Sequence, residues 1–551
     1  MKLIIIGGVA GGASAATRAR RLSEEAEIVV LERGPDVSFA NCGLPYHIGE
    51  TIADRSKLIV VSPERLRRRF NLDVRVNSDA EQIDRVKKVV RVLDRATGRH
   101  YEEHYDKLIL APGAAPLRPP IPGVDTEGVF TLRTLGDMDR IKSAIDGAGR
   151  RAVVIGAGFI GLELVENFVA RGIATVLVEL QDQLLPVMDR EMTTPLLQTL
   201  KDRGVEVVLA DSAAAFSRSG RDLLVQLGSG RQLAVDFAVL GIGVRPESQL
   251  ARDSGLDLGE RGGIRVNEQL QTSDPDIYAV GDAIEVSDFV LGTPIQVPLA
   301  GPANRQGRIA ADAAFGRSVR FRGCQGTAIL GVFNQTLAIT GATEKQLRRR
   351  GLPFQRIWIH PAHHAGYYPG AQQMTLKLTF DADSGRILGA QATGGLGVDK
   401  RIDVLSTAIQ AKLTVFDLEE MELAYAPQFG SAKDPINMLG FVAAGVLRGD
   451  HPQIAPADLI NRRDGNAPLL VDVRDPVEFS AGNIPDSINI PLDELRQRLA
   501  ELPRDRPLVV YCRVGQRGYI ATRILVQNGF DVRNLSGGFK SYLGDKGVQL
   551  A

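Results

Sequence analysis

The 551 residues are enough for roughly three to four domains, and 44% hydrophobic with 24% charged residues is typical of a globular chain. Basic and acidic residues balance at 66 each, which excludes a general electrostatic attraction to nucleic acid or to an acidic membrane surface. Three widely spaced cysteines exclude a disulfide framework, and no apolar run reaches the roughly twenty residues of a membrane span. We therefore expect a cytoplasmic protein with no metal site, no nucleic-acid partner and no membrane partner.

The first predicted elements form a nucleotide-binding βαβ unit. KLIII (2–6) has the pattern of a buried parallel strand, GGVAGG follows, ASAATRARRL is helical and EIVVLER is a second strand that reaches Glu32. Glycines in such a turn let the backbone approach a pyrophosphate, and an acid about 20 residues further on binds a ribose hydroxyl. Glu32 lies 20 positions after Gly12, although Val9 stands where the fingerprint has its middle glycine.

The same plan returns more cleanly in AVVIGAGFIGLELVENFVARGIATVLVE (152–179). Gly156, Gly158 and Gly161 match G-x-G-x-x-G, and Glu179 ends the next strand 18 positions later. An acid there accepts the 2′-hydroxyl of NAD and repels the 2′-phosphate of NADP, and no arginine directly follows it. The sequence therefore predicts two dinucleotide sites, the second with a preference for NADH.

Two later segments indicate a family. LILAPGAAP (108–116) predicts a strand that runs into a small-residue turn, and TSDPDIYAVGDA (272–283) predicts a strand that ends at Gly281 and Asp282. With the two glycine motifs, residues 1–440 resemble the two-dinucleotide-fold flavoprotein disulfide reductases. This resemblance implies FAD in the first site, with Asp282 on its ribityl chain, NAD(H) in the second site and a homodimer. The predicted cofactor contacts are Gly7, Ala10, Gly11, Gly12, Glu32, Arg33, Asn41, Ala111, Pro112, Gly113, Gly156, Gly158, Phe159, Ile160, Gly161, Glu179, Gly243, Gly281 and Asp282.

SFANCGLPYHIGE (38–50) contains Cys42, the candidate catalytic residue. The best-known branch of the family carries C-x4-C, but here His47 stands where the second cysteine belongs, and residues 422–440 lack the histidine of that branch. The segment instead resembles the single-cysteine branch, which includes coenzyme A-disulfide reductases, NADH peroxidases and NADH oxidases. A single thiolate beside the flavin would exchange electrons with an external sulfur or oxygen through a mixed disulfide, persulfide or sulfenic acid.

A few positions divide that branch. The peroxidases and oxidases carry a histidine in the first glycine turn, where this chain has Ala10. HAGYYPGA and ELAYAPQFGSAKDPIN instead resemble the coenzyme A-disulfide reductases, which implies that Tyr367 and Tyr425 protonate the leaving coenzyme A thiolate. Tyr368 is an alternative to Tyr367, and packing at a dimer interface is the alternative role for these tyrosines.

Coenzyme A carries several phosphates, so the resemblance also requires a basic site. The predicted contacts are Arg18, Arg21, Ser38, Asn41, Asn304 and Arg308. Arg18 and Arg21 share a helical face by their spacing, and the arginines of SPERLRRRF are further candidates. Any single arginine can equally be a solvated surface charge. The three histidines of HPAHH (360–364) lack the spacing of a zinc motif, so we expect them at the surface or at an interface.

The last hundred residues predict a separate α/β domain with a second reactive cysteine. VDVRDPVEF, GNIPDSINIP and CRVGQR occur in the order of a rhodanese domain, which the segment resembles. Cys512 follows a buried strand, and loop N–H groups with Arg513 and Arg517 would surround its sulfur with positive potential, favouring a thiolate and a persulfide. A phosphatase loop is the competing interpretation, but it has C-x5-R where this chain has C-x4-R. Cys324 lacks such surroundings and is predicted to be structural.

Together these patterns predict an α/β protein with two Rossmann-like dinucleotide-binding domains, an α+β dimerisation domain and a C-terminal rhodanese domain. The predicted boundaries are 1–112 with 245–320 for the FAD domain, 113–244 for the NAD(H) domain, 321–445 for the dimerisation domain, 446–456 for a linker and 457–551 for the rhodanese domain. The expected activity is NADH-driven, FAD-dependent reduction of coenzyme A persulfide, polysulfide or coenzyme A disulfide at Cys42, with sulfane-sulfur transfer at Cys512. An NADH oxidase or peroxidase, and a non-catalytic redox or sulfur sensor, are the alternatives.

Overall fold

The computed structural model describes residues 1–147, 149–461 and 467–547. Residue 148 of the predicted NAD(H) domain, and residues 462–466 and 548–551 of the predicted rhodanese domain, lie outside the described residues. The chain divides into two compact units, which are residues 1–180 with 204–325 and residues 181–203 with 326–551.

The first unit contains two five-stranded parallel sheets. One has the order Ile277–Ala279, Lys107–Leu110, Lys2–Ile6, Glu27–Leu31 and Asp73–Arg75. The other has the order Glu206–Leu209, Ala174–Glu179, Arg151–Ile155, Phe237–Leu240 and Val129–Thr131. Leu3, Ile4 and Ile5 of one central strand are fully buried, because a parallel sheet is covered on both faces. This burial explains why the strand is a continuous apolar run.

A helix follows the central strand of each sheet directly after a glycine turn. These helices are Ala10–Leu22 and Phe159–Ala170. Both turns therefore lie at the carboxyl edge of a parallel sheet, which is where open α/β sheets bind their ligands. The predicted βαβ units are confirmed.

The second unit contains a five-stranded antiparallel sheet and a five-stranded parallel sheet. The antiparallel order is Ala328–Val332, Gln335–Gly341, Ile387–Gly394, Thr375–Asp381 and Phe354–Ile359. The parallel order is Gln453–Ile454, Val532–Leu535, Leu508–Tyr511, Leu469–Asp472 and Ile488–Asn489. Gln453–Ile454 falls inside the predicted linker 446–456, so this segment belongs partly to the C-terminal sheet. A two-residue strand is too short to show a period in the sequence.

The remaining strands and helices complete both units. The remaining strands are Ser78–Asp84, Val89–Asp94, Arg99–His104, Ala114–Pro116, Ala213–Ser219, Asp222–Leu227, Gln232–Val235, Val244–Pro246, Ile264–Arg265, Ile284–Ser287 and Pro294–Ile295. The remaining α-helices are Leu44–Ile48, Pro63–Phe70, Leu135–Asp146, Arg190–Asp202, Gln249–Asp253, Ala300–Ala314, Glu344–Arg349, Val398–Gln410, Val415–Glu420, Pro435–Leu447, Pro456–Ile460, Pro476–Ser480, Gln516–Gln527 and Gly538–Asp545. The 3₁₀ helices are Asn41–Gly43, Arg55–Leu58, Gly281–Ala283 and Leu499–Glu501. Within the described residues, none of these helices combines the length and the apolar character needed to cross a bilayer.

Candidate active sites

The first glycine turn brings backbone segments too close together for side chains. A Cβ on Gly7, whose φ is +97°, would lie 2.1 Å from the carbonyl oxygen of Ala111, and a Cβ on Gly12 would lie 1.8 Å from the carbonyl oxygen of Gly7. Glu32 accepts hydrogen bonds from the N–H groups of Gly8 at 2.8 Å and Gly34 at 2.9 Å. The predicted contacts Gly7, Gly12, Glu32 and Ala111 therefore meet at one edge of the first sheet.

The second turn contains a glycine that the protein itself does not require. A Cβ on Gly156 would lie 2.5 Å from the carbonyl oxygen of Gly241, and a Cβ on Gly161 would lie 2.0 Å from that of Gly156. A Cβ on Gly158 would meet nothing within 4 Å. Gly158 thus leaves open space in front of the helix that begins at Phe159, which fits the close approach of a coenzyme pyrophosphate. The carboxylate of Glu179 accepts the Ala157 N–H at 2.7 Å.

Asp282 is a partly buried carboxylate without a hydrogen-bond donor among the described residues. It lies in the 3₁₀ helix Gly281–Ala283, which the Gly281 N–H anchors to the Gln306 side chain at 2.8 Å. Burial raises the pKa of Asp282, and no described residue donates a hydrogen bond to its carboxylate. A ligand hydroxyl would donate the missing hydrogen bond, which fits the predicted contact with a flavin ribityl chain.

Cys42 lies in the 3₁₀ helix Asn41–Gly43 and is a free, exposed cysteine. Partial burial raises the pKa of its thiol, and the carboxylates of Glu163 and Asp282 raise it further. The protein atoms alone therefore disfavour the thiolate, whereas a helix N-terminus at the sulfur would lower its pKa and favour the thiolate. His47 does not face the sulfur as a second reactive group, because it is buried and its Nδ1 lies 2.6 Å from the Ile52 carbonyl oxygen.

Glu163 and Tyr46 also belong to the Cys42 site, and sequence reasoning missed both. Burial raises the pKa of Glu163 to about 7, and the Tyr46 hydroxyl donates to this carboxylate at 3.3 Å. The pKa of Tyr46 rises to about 12, first through burial and then through Glu163. Glu163 lies just after the second glycine motif, and this position gave no signal that the acid lies near Cys42.

The predicted coenzyme A contacts divide into free and committed side chains. Arg21 and Arg308 are exposed on the helices Ala10–Leu22 and Ala300–Ala314. Asn304 is also exposed, but its amide accepts from the Ser14 hydroxyl and donates to the Ala300 carbonyl oxygen. Arg18 instead forms an ion pair with Asp312 at 2.6 Å, which ties these two helices together.

The predicted residues before Cys42 are held by backbone contacts. Ser38 adopts a positive φ of 47°, and its N–H donates to the Gly8 carbonyl oxygen at 2.8 Å. The Asn41 amide lies at the 3.5 Å limit of a hydrogen bond to the Arg133 carbonyl oxygen. Asn41 is therefore only weakly held and can turn toward a ligand.

The remaining predicted cofactor contacts lie around the same two turns. Ala10 and Phe159 begin the two helices, and Ile160 is 39% exposed. Arg33 is paired with Glu247 at 2.6 Å. Gly11 is buried, while Pro112, Gly113 and Gly243 line the segments that follow the strands Lys107–Leu110 and Phe237–Leu240.

Tyr367 and Tyr425 form a pair in the second unit. Their hydroxyl oxygens are 3.0 Å apart, and the side chains are 77% and 48% exposed. The hydrogen bond with Tyr425 raises the pKa of Tyr367, which keeps its hydroxyl protonated. Tyr368 turns away and packs edge-on against His364, with 5.6 Å between ring centroids. The geometry favours Tyr367 over Tyr368 as the partner of Tyr425.

Cys512 lies at the end of the strand Leu508–Tyr511, in a loop that leads into the helix Gln516–Gln527. Its side chain is 1% exposed, and the Gly515 N–H donates to Sγ at 3.2 Å. Arg517 is near the sulfur but forms a two-bond ion pair with Glu478, at 2.6 and 2.8 Å. The expected positive surroundings of the sulfur are therefore partly neutralised by an acid that the prediction did not include.

The HPAHH histidines were expected at the surface or at an interface, and the surface alternative is wrong. All three are buried, and their ring nitrogens contact hydroxyl or carbonyl groups, with one backbone N–H, that of Gln372, donating to His363 Nδ1 at 3.0 Å. His360 does lie at an interface, since it contacts Thr375 of the antiparallel sheet and Ser541 of the C-terminal domain at 2.9 Å each. Cys324 is buried, and burial raises the pKa of its thiol to about 11, as suits the predicted structural role.

The described residues contain one group of acidic side chains with metal-ligand spacing, namely Asp189, Glu191 and Glu344. The ammonium of Lys377 lies 2.9, 2.6 and 2.8 Å from these three carboxylates. Their charge raises the pKa of Lys377 despite its burial. Lys377 thus fills the place that a cation would take.

Comparison with known proteins identifies the domains. Residues 1–307 match the pyridine nucleotide-disulphide oxidoreductase family, residues 327–434 match the dimerisation domain of that family, and residues 455–545 match the rhodanese-like domain. A coenzyme A disulfide reductase of Staphylococcus haemolyticus is 37% identical over 444 residues, which cover 80% of this chain and 99% of the relative.

Solved structures extend the likeness over the whole chain. Reduced Bacillus anthracis CoADR-RHD superposes with a TM-score of 0.96 at 49% identity and covers 98% of each chain. An NAD-dependent persulfide reductase from A. fulgidus superposes with a TM-score of 0.91 at 36% identity, covering 98% of this chain and 100% of that one. A water-forming NADH oxidase from Lactobacillus brevis gives 0.78 at 28% identity, covering 82% and 99%. The predicted fold class and family resemblance are confirmed, and the chain belongs to the pyridine nucleotide-disulphide oxidoreductase family, as a flavoprotein oxidoreductase with a C-terminal rhodanese domain.

Proposed function

We propose that this enzyme uses NADH and FAD to reduce a coenzyme A persulfide or polysulfide, or coenzyme A disulfide, at Cys42. The observation that carries the proposal is the state of the three cysteines, because Cys42 is free and exposed while Cys324 and Cys512 are buried. Cys42 has no second cysteine in its segment and therefore takes its sulfur partner from an external molecule. The names of the relatives support this substrate class.

Two sets of residues would hold the redox cofactors. Gly7, Gly12 and Glu32 fit an FAD dinucleotide, and Asp282 fits a ribityl hydroxyl. Gly158 and Glu179 fit NADH in the same way, and the acid at Glu179 favours NADH over NADPH. Bound FAD supplies two-electron transfer between NADH and a sulfur. The match of residues 327–434 to a dimerisation domain supports a homodimer.

At Cys42 the chemistry is thiol–disulfide exchange. Attack of the Cys42 thiolate on the inner sulfur of coenzyme A persulfide forms a Cys42–coenzyme A disulfide and expels HS⁻. Two electrons that originate from NADH then break this disulfide, which returns the Cys42 thiolate and releases coenzyme A. The sum is coenzyme A persulfide plus NADH plus a proton giving coenzyme A, H₂S and NAD⁺.

The Tyr367–Tyr425 pair would supply a proton to the leaving coenzyme A sulfur. Both hydroxyls are accessible, and the hydrogen bond between them keeps that of Tyr367 protonated at neutral pH. Asn41, Arg21 and Arg308 are accessible groups for the pantetheine arm and the phosphates of coenzyme A.

Cys512 would carry the sulfane sulfur that the reductase consumes. A Cys512 persulfide passes its outer sulfur to the coenzyme A thiolate, which forms coenzyme A persulfide and leaves the Cys512 thiolate. The Gly515 N–H stabilises negative charge on this sulfur. Because the same chain carries both sites, we propose persulfide as the preferred substrate over plain coenzyme A disulfide.

The test is a substrate panel with the FAD-loaded enzyme. NADH consumption and sulfide release are measured anaerobically with coenzyme A persulfide, coenzyme A disulfide and peroxide, and NADH consumption is measured again in aerated buffer without a sulfur substrate. We expect the largest kcat/KM with persulfide and one sulfide per NADH. A large advantage for coenzyme A disulfide would contradict the substrate preference, and turnover only with oxygen or peroxide would instead favour the oxidase or peroxidase alternative.

A further inference from the structure

A cavity of about 330 Å³ lies within the second unit, where the antiparallel sheet of the dimerisation domain meets the rhodanese domain. Its walls include Trp358 and Thr393 of the sheet and Arg513 and Lys540 of the rhodanese domain. A volume of this size is sufficient for a small organic ligand. The proposed reductase chemistry at Cys42 uses none of these four side chains, although Arg513 directly follows Cys512 in the loop that is predicted to surround the Cys512 sulfur.

Two cations of the cavity wall lack an acidic partner. Lys540 donates a hydrogen bond to the Gln373 amide oxygen at 2.7 Å, and neither Lys540 nor Arg513 has a carboxylate within 4 Å among the described residues. Burial and the charge of Arg513 lower the pKa of Lys540 to about 8, so it is still mostly protonated at neutral pH. Glu191 also lines the cavity, but its carboxylate binds Lys377 at 2.6 Å. The cavity wall therefore contains two cations without a carboxylate partner, while the one carboxylate among its described residues, Glu191, shares Lys377 with Asp189 and Glu344.

Two residues that line the cavity also have a buried polar atom without a hydrogen-bond partner. The indole Nε1 of Trp358 and the hydroxyl of Thr393 make no hydrogen bond in the described structure, and each side chain is only 3% exposed. Buried polar groups are normally paired, so each orphan calls for a ligand or another partner. The indole N–H can only donate, so its partner must be a hydrogen-bond acceptor.

From these features we propose that the cavity binds a small anion of the sulfate or phosphate class, held by Lys540 and Arg513 and by donors such as the Thr393 hydroxyl. An oxyanion is an acceptor-rich group with the charge that these cations lack. The site adjoins the Cys512 loop through the backbone, because the Lys540 N–H donates to the Arg513 carbonyl oxygen at 3.0 Å and the Phe539 N–H to that of Cys512 at 2.8 Å. Ligand binding there would therefore stabilise the interface between the dimerisation domain and the rhodanese domain.

The experiment is isothermal titration of the FAD-loaded, full-length protein with sodium sulfate and with glycerol 3-phosphate at low ionic strength. Lys540→Gln should weaken sulfate binding at least about tenfold, since a charge-assisted contact is lost. Thr393→Val should weaken it about fivefold. It should not lower the melting temperature of the ligand-free protein, because the removed hydroxyl has no partner there. This second variant keeps the test valid if Lys540→Gln fails to fold.

Matched controls are available on the same elements. Lys546→Gln removes a positive charge at the end of the same helix and should leave sulfate affinity unchanged. Thr379→Val removes a paired hydroxyl of the same sheet, which donates to Ala342 and Gly389, so it should lower the melting temperature without changing affinity. Tighter binding of glycerol 3-phosphate than of sulfate would indicate an organic phosphate, and equal binding would indicate the free oxyanion. Absence of binding by the native protein, or equal affinity in Lys540→Gln, would overturn the proposal.

Discussion

The two candidate reactive cysteines differ in what surrounds the sulfur. Cys42 is exposed, and partial burial together with the Glu163 and Asp282 carboxylates raises its pKa. Cys512 is 1% exposed, and its sulfur already accepts the Gly515 N–H at 3.2 Å. The first thiol therefore depends on groups that arrive with the cofactor and the substrate, whereas the second has part of its anion site built into its own loop.

Removal of the exposed thiol should have the largest effect on activity. Cys42→Ser should lower NADH-dependent reduction of coenzyme A disulfide by at least about a thousandfold, because no other nucleophile in the segment replaces it. Steady-state NADH consumption measures the loss. Cys324→Ser is the matched control and should keep near-native turnover, since Cys324 is buried and plays no part in the proposed exchange. Normal turnover in Cys42→Ser would refute the mechanism.

Removing the buried thiol should separate the two activities. Cys512→Ser should lower sulfane-sulfur transfer to an added thiol acceptor by at least about a hundredfold while NADH reduction of coenzyme A disulfide stays within about twofold. Both rates are measured on the same FAD-loaded preparation. A parallel fall of the two activities would mean that the sites do not work independently.

The tyrosine pair tests how much the Cys42 reaction depends on a separate acid. Tyr367→Phe and Tyr425→Phe should each lower kcat for disulfide reduction by about tenfold to a hundredfold, as expected when a general acid is removed. Tyr368→Phe is the control and should leave kcat within about twofold, because Tyr368 packs against His364 instead. A larger effect from Tyr368→Phe would reassign the acid.

The smallest expected effect concerns the pKa of Cys42. Glu163→Gln removes a negative charge that raises this pKa, so the thiol should ionise at lower pH. The rate of Cys42 alkylation by iodoacetamide, followed against pH in the cofactor-free protein, should shift toward lower pH. Glu166→Gln is the comparison variant, because it removes a charge that raises the pKa of Glu163, keeps Glu163 ionised and should not shift the Cys42 profile toward lower pH. An unchanged profile in Glu163→Gln would remove Glu163 from the site.

Local sequence predicted those parts of the sites that follow directly from a strand. The glycine turns after Lys2–Ile6 and Arg151–Ile155, and the positions of Glu32, Glu179 and Cys512 at strand ends, are examples, since period and spacing are written in consecutive residues. Glu163 could not be found in this way, because its contact with Tyr46 joins residues 117 positions apart. The burial of the HPAHH histidines was missed for the same reason, since Ser541 covers His360 from another domain.

The burial of His360 has a consequence for acid stability. Burial lowers its pKa to about 3 in the folded protein, whereas an exposed histidine titrates near 6.5. Between these two pH values the His360 imidazole is protonated in the unfolded chain and neutral in the folded chain. The contribution of His360 to the free energy of unfolding is therefore fully present above pH 6.5. It falls as the pH drops below that value, by up to about 1.4 kcal/mol per pH unit. Because His360 bridges Thr375 and Ser541, mild acid should separate the rhodanese domain from the antiparallel sheet before it unfolds the dinucleotide-binding sheets.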